Sequence, residues 1–342
     1  MSSLTAAVTG IDRAPRVVGR ALAPAPVQLV LGDPRHGVTR YAREIAEACG
    51  AVVVHDAARL DRRPAHLHAT DRLLGASPEH AAGAFEALTR RTPLSVTLHD
   101  VPQPTDGPGF RDRVAAYARI VRAARGWVVS SEHERSLVHQ WVRPDVDGAV
   151  VPLPVPVPVA AAAHHDPAPV VGLFGYVYPG KGHRHVVRAL AGLVRAATPV
   201  TVRLIGGPAP GHDDEVDDLR LLAEARGVPL EVTGHVAEAD VVAQLQRVAV
   251  PVVAHRNVSA SGSLNSWLAA GRRPLVRDGV YAREMARRRE GTVTLFRDDT
   301  LADRVDAALR RPASTWLEAG TDLRPLLPDA AAAYLAWWRT LA

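Results

Sequence analysis

The chain has 342 residues, 47% of them hydrophobic, which is enough for two cores of ordinary size, and no apolar run nears membrane-spanning length. A net charge of +5 admits anionic partners, but the arginines are scattered, with no basic block interleaved with aromatics, so nucleic acid ranks last. Cys49 is the sole cysteine, which excludes an internal disulfide and a thiolate zinc site.

Residues 1–26 mix Arg13, Arg16 and Arg20 with alanine and proline and lack the continuous apolar run of a secretory signal, so a flexible segment and a cytoplasmic protein are expected. Residues 27–31 (VQLVL) read as a first buried strand. The turn GDPRHG follows, and Gly37 opens a helix to about Cys49, a first place where free N–H groups could meet an anion. Strands at 51–55 and 65–70, a helix at 78–90, a strand at 94–99 (LSVTLH), a helix at 110–124 and a strand at 126–130 come next. Ser131 and Glu134 are spaced as a capping pair for a helix to Val142. Residues 151–159 (VPLPVPVPV) alternate proline with apolar residues and predict a stiff, extended linker. The domains are therefore drawn at 27–157 and 158–325, with a terminal helix at 326–342 packing back towards the first.

The stretch 170–193, VVGLFGYVYPGKGHRHVVRALAGL, organises the second half. A buried strand ends in a Gly-Pro turn, and then Val186, Val187, Leu190 and Leu193 take up helical spacing. Lys181 in that turn is the only lysine, all other cationic side chains being arginine. A compact ammonium with helix N–H groups suits phosphate; the alternative is an ordinary exposed turn. Strands at 200–205, 230–233, 250–254, 274–276 and 292–296 then alternate with helices at 214–226, 239–248, 259–270, 281–288 and 301–310. The fold class is thus α/β, two doubly wound parallel sheets with ligands at the carboxyl ends of their strands. Tyr334, Trp337, Trp338 and Leu341 in the last helix form a stripe expected to pack against protein, with a peripheral membrane contact left open.

These pieces resemble retaining glycosyltransferases of the GT-B fold, in particular glycosyltransferase family 4 (group 1). The resemblance runs from about Val27 to the C-terminus through HGVTRYAREIAEACG, VTLHD, SSEHE, GLFGYVYPGKGH, VRLIGG, VTGHV and SASGSLNSWLAAGRRPLV, in the family's order. It implies transfer of a hexose from a nucleotide-diphosphate sugar to a glycan, lipid-linked or small-molecule acceptor, with retention and without a metal cofactor. It implies His99 as a donor-sugar contact, Gly37 as a close approach to the diphosphate, and Lys181 as its cation. The donor would further touch Tyr176, Gly180, Gly207, Ser261, the N–H groups of Gly262, Ser263 and Leu264, and the side chains of Asn265 or Ser266 on ribose.

Two positions depart from the family pattern. Its diphosphate-binding arginine falls at Tyr176, and Arg256 is the nearest candidate replacement. Its paired glutamates fall at Val258 and Ser266, so a catalytically inactive GT-B protein serving as partner to another transferase is one alternative, and a nucleotide-sugar epimerase another. Two metal readings compete: His66 with His68, which share a strand face but have no third ligand, and Asp145 with Asp147, where turn chemistry is enough.

Overall fold

The computed structural model describes residues 25–159, 168–196 and 198–341; of the segment at 1–26 expected to be flexible, residues 1–24 lie outside them. The first half alternates strand and helix: β1 (Val27–Leu29), α1 (Gly37–Ala48), β2 (Val53–Val54), β3 (Ala65–Ala69), α2 (Asp71–Leu74), α3 (Pro78–Thr89), β4 (Leu94–Leu98), α4 (Phe110–Ala123), β5 (Trp127–Val129), α5 (Glu132–Leu137) and β6 (Ala149–Val150). The strands form one parallel sheet in the order β2-β1-β3-β4-β5-β6. Leu94, Val96 and Leu98 lie on one face of β4 and pack with Leu67, Phe85 and Ile120, while Ser95 and Thr97 on its other face are buried too, so the strand is covered on both sides.

The second half repeats the scheme: β7 (Val170–Phe174), α6 (His183–Arg195), β8 (Thr201–Ile205), α7 (Glu215–Ala225), β9 (Leu230–Val232), α8 (Glu238–Gln246), β10 (Val250–Val253), α9 (Gly262–Ala269), β11 (Leu275–Arg277), α10 (Val280–Arg288), β12 (Thr294–Phe296) and α11 (Leu301–Arg310). Its parallel sheet runs β12-β11-β10-β7-β8-β9. Counted within the domain this is the 3-2-1-4-5-6 order, which leaves a crevice where the direction of winding reverses, outside the carboxyl ends of β7 and β10.

A last helix, α12 (Leu327–Thr340), leaves the second domain and packs on the first. Tyr334, Trp338 and Ala330 close a core with Tyr41 and Ile45 of α1, and Thr97 Oγ1 lies 2.9 Å from Tyr334 OH. The aromatic stripe is therefore spent on protein contacts. The linker is extended and held by side chains: Asn265 Nδ2 donates to the carbonyls of Leu153 (3.1 Å) and Pro154 (3.0 Å), and Arg289 Nη2 to Leu153 (3.0 Å).

The two domains also meet through the loops beyond β5 and β10. Ser131 Oγ donates to Ser259 O (2.7 Å), and Ser259 Oγ to Glu134 Oε1 (2.9 Å). Glu284 of α10 accepts from Glu132 N and His133 N, both at 3.0 Å, so one domain caps a helix of the other. Ser131 caps α5 by accepting from Glu134 N (2.9 Å), as expected, but Glu134 returns its other oxygen to Ser130 N at 2.7 Å, one residue earlier than a capping box would place it. Glu134 is fully buried, and burial pushes its carboxyl up to about 8.

Candidate active site

The turn from β7 to α6 lies at the crevice of the second sheet. Gly180 and Gly182, on either side of Lys181, both have φ of 90°, so the chain bends through left-handed conformations that only glycine takes readily. At Gly182 the requirement is also steric, since a Cβ would lie 2.0 Å from Ala254 O. These bends turn the lysine inward, leaving it 8% exposed. A Cβ placed on Gly175 would lie 2.8 Å from Lys181 Nζ and 3.9 Å from Ser263 Cβ, which puts the ammonium beside the first turn of α9.

The electrostatics of this corner are unusual. Lys181 Nζ lies 5.6 Å from the centre of the Tyr178 ring but has no hydrogen bond or ion pair among the described residues. Burial lowers the ammonium to about 8, so it is mostly charged at neutral pH. His183 is pushed down to about 3 by burial and by Lys181, and His255 is lowered for the same two reasons, so both are neutral beside it. The corner therefore holds a buried positive charge with no counter-charge, which burial ordinarily forbids unless a partner arrives.

Around it, Arg256 donates its backbone N–H to Gly180 O at 2.9 Å, which fixes the residue at the mouth of the turn with its side chain exposed and in no ion pair among the described residues. Ser261 caps α9, its Oγ accepting from Leu264 N at 3.1 Å. Leu264 N–H is thus taken, a correction to its expected role, while the N–H groups of Gly262 and Ser263 have no partner among the described residues. Ser266 Oγ bonds back to Gly262 O (3.1 Å) at the foot of the same helix. Gly207 accepts from Val177 N at 2.8 Å, beside the lysine turn. Tyr176 is 46% exposed, and Arg35 pairs with Asp33 at 2.7 Å. Gly37 begins α1 with no heavy atom within 4 Å of where its Cβ would be.

Two expected contacts are placed otherwise. Asn265 is buried with its amide fully engaged, donating to Leu153 and Pro154 and accepting from Arg289 Nη1 at 3.2 Å, so it anchors the linker and has no group left for ribose. His99 follows β4 as expected, but its ring is turned into the first domain, where Nε2 lies 3.1 Å from His68 Nδ1 and the rings stack at 5.3 Å. Burial lowers it to about 3, so it is a neutral, packed imidazole. His66, in turn, bonds Ser95 and Thr97, each at 2.9 Å. Among the described residues no three His, Cys, Asp or Glu side chains are grouped to hold a metal. Asp145 pairs with Arg143 at 2.7 Å.

Sequence reasoning missed Asp100, the residue after His99, which has a positive φ of 56° and an exposed side chain. Its charge acts on Tyr178 of the other domain, whose phenol is raised by burial and by Asp100. The aspartate type, which tolerates left-handed backbone better than most, was the available signal.

No family model matches the chain, and no curated protein matches its sequence. Solved structures match its shape. Anabaena Alr3699/HepE in complex with UDP-glucose is 15% identical, over 91% of this chain and 94% of that one, with a TM-score of 0.64. Sucrose-phosphate synthase from Thermosynechococcus elongatus is 16% identical over 93% and 96%, with a TM-score of 0.67. A UDP-forming α,α-trehalose-phosphate synthase from Burkholderia xenovorans, in complex with glucose-6-phosphate, is 12% identical over 89% and 77%, with a TM-score of 0.61. At such identities the likeness is one of fold. The chain has the GT-B fold, an α/β architecture of two Rossmann-like domains facing a cleft.

Proposed function

We propose that the protein is a glycosyltransferase moving a hexose from a nucleotide-diphosphate sugar to a glycan, lipid-linked or small-molecule acceptor, with retention. One observation carries the reading: Lys181, a buried ammonium, sits at the crevice of the second sheet beside the N–H groups of Gly262 and Ser263, and among the described residues neither the ammonium nor those N–H groups have a partner. As the bond from the sugar's anomeric carbon to the diphosphate breaks, the electron pair stays with the phosphate oxygen. Lys181, those N–H groups and Arg256 would neutralise the charge that builds there, without a metal ion. The likeness to structures solved with UDP-glucose and UDP supports a nucleotide-sugar as the donor.

The serine and valine at positions 266 and 258, where the resembled family has carboxylates, favour as a second reading a binding partner without activity of its own; an epimerase is a third. A cytoplasmic location remains the expectation; no helix among the described residues is long and apolar enough to cross a membrane. Titration with a panel of nucleoside diphosphates, followed by nucleotide release from the matching sugars, tests the reading. Binding with release only when an acceptor is added supports transfer, binding without release supports the inactive partner, and a changed sugar without acceptor supports the epimerase. No binding to any of them refutes the donor site.

A further inference from the structure

Asp100 is held in a backbone conformation disfavoured for any residue with a Cβ, and such conformations persist only where the surroundings over-determine them. Here they do. Arg113 Nη2 donates to Asp100 O at 2.5 Å, and Tyr117 OH donates to His99 O at 2.7 Å and to Asp100 O at 3.3 Å. Arg113 is itself fixed by Asp71 at 3.0 Å and by a close pair with Asp106. All of these bonds reach the backbone or one another, and none reaches the Asp100 carboxylate. Its nearest counter-charge is Arg113 Nη2 at 3.8 Å, and its side chain is 71% exposed.

The fold thus grips the main chain and leaves the carboxylate exposed just past the carboxyl end of β4; the loop after the neighbouring β5 meets the loop after β10, so this end of the first sheet faces the crevice at β7 and β10 that holds Lys181. Burial and the Asp100 charge both raise the phenol of Tyr178, whose ring centre lies 5.6 Å from Lys181 Nζ. A diphosphate held at Lys181 would be repelled by Asp100, so the part of the ligand that meets Asp100 must be uncharged and carry donors. Hydroxyl groups meet both conditions, and a carboxylate takes them by charge-assisted hydrogen bonds. We propose that Asp100 accepts hydrogen bonds from hydroxyls of the transferred sugar and so orients that sugar against its leaving diphosphate. The assignment rests on the nucleotide-sugar reading of the Lys181 corner.

The test is calorimetric titration of the full chain and of Asp100→Asn and Asp100→Gly with the matched pairs UDP and UDP-glucose, and GDP and GDP-mannose. Asparagine and glycine both accept the left-handed backbone, so both variants fold, which thermal melting checks. In the pair that the unaltered protein binds, the affinity ratio of nucleotide-sugar to nucleoside diphosphate should fall roughly tenfold or more in Asp100→Gly and less in Asp100→Asn. The nucleoside diphosphate alone should bind both variants at least as well, because a repelling charge has gone. A ratio that does not move in either variant, or equal losses for both ligands, overturns the assignment. Where the wider panel shows another nucleoside diphosphate bound, its matched pair replaces these two; an unaltered protein that binds none of the panel removes the Lys181 reading and this one with it, a result distinct from a binding protein whose ratio ignores Asp100.

Discussion

Holding Lys181 charged at a buried position without an acidic partner among the described residues should make the protein less stable than it need be. Burial lowers the ammonium from an ordinary 10.5 to about 8; at ~1.36 kcal/mol per unit of pKa that is a cost of about 3 kcal/mol at pH 7. The sign follows from the lowered value. Below pH 8 both folded and unfolded chains carry the proton and the full cost is present. Between about 8 and 10.5 the unfolded chain binds more protons, so stability rises with pH, and above 10.5 the cost is gone. Lys181→Met keeps the length of the side chain without the charge, so it should raise stability by up to about 3 kcal/mol at pH 7, with the advantage fading between pH 8 and 10.5. The same variant should bind nucleoside diphosphate roughly ten- to a hundred-fold more weakly, the loss of one charge-assisted hydrogen bond. Urea denaturation across pH, paired with calorimetric titration, measures both. A variant less stable than the parent at pH 7, or one that binds with parental affinity, would refute the reasoning.

Gly182→Ala should destabilise the second domain by more than about 2 kcal/mol, since it adds a clash with Ala254 O to the left-handed penalty. Gly180→Ala, whose Cβ would meet nothing, should cost only about 1 kcal/mol, and denaturant midpoints will separate the two. Asn265→Leu takes away the donor to the Pro154 carbonyl and the acceptor of Arg289 Nη1, while Leu153 O keeps its bond from Arg289 Nη2; it should cost at least about 1–3 kcal/mol in the same assay, yet leave nucleoside diphosphate affinity in place. Arg256→Ala should weaken nucleoside diphosphate several-fold, less so at high salt, without altering thermal stability. Glu134, raised to about 8 by burial, stays protonated in the folded chain while the unfolded chain ionises above its ordinary 4.5. Stability of the parent should therefore fall from about pH 4.5 to 8 relative to Glu134→Gln, as pH-dependent denaturation will show.

The alternation of strand and helix was legible because parallel strands buried on both faces carry largely apolar runs such as VQLVL and VVGLF, and the helices between them keep a 3.6-residue stripe. The lysine corner was legible because composition singled out one residue inside a glycine turn. The orientation of His99 was not, because it depends on a partner in the neighbouring strand: β3 and β4 pair with His68 opposite Thr97, which places His68 within reach of the residue two further on. Asn265 shows the same limit, since its three bonds go to a linker more than a hundred residues earlier and to Arg289. Ser261, read from the resemblance as a donor contact, caps α9, and Ser259 bonds Glu134 across the domain boundary, a contact that no local spacing announces. Asp100 stands between these cases, with a residue type that permits its backbone and a network around Arg113 that only the fold assembles.

Because Lys181 is the only lysine, an amine-selective reagent followed by peptide mapping reports on this one side chain apart from the chain's α-amine. With the ammonium near 8, labelling should accelerate as pH passes that value. A nucleoside diphosphate such as UDP or GDP at saturating concentration should suppress it by holding the proton on the nitrogen and covering it. Labelling of Lys181 at the same rate with and without every nucleoside diphosphate tried would contradict the account.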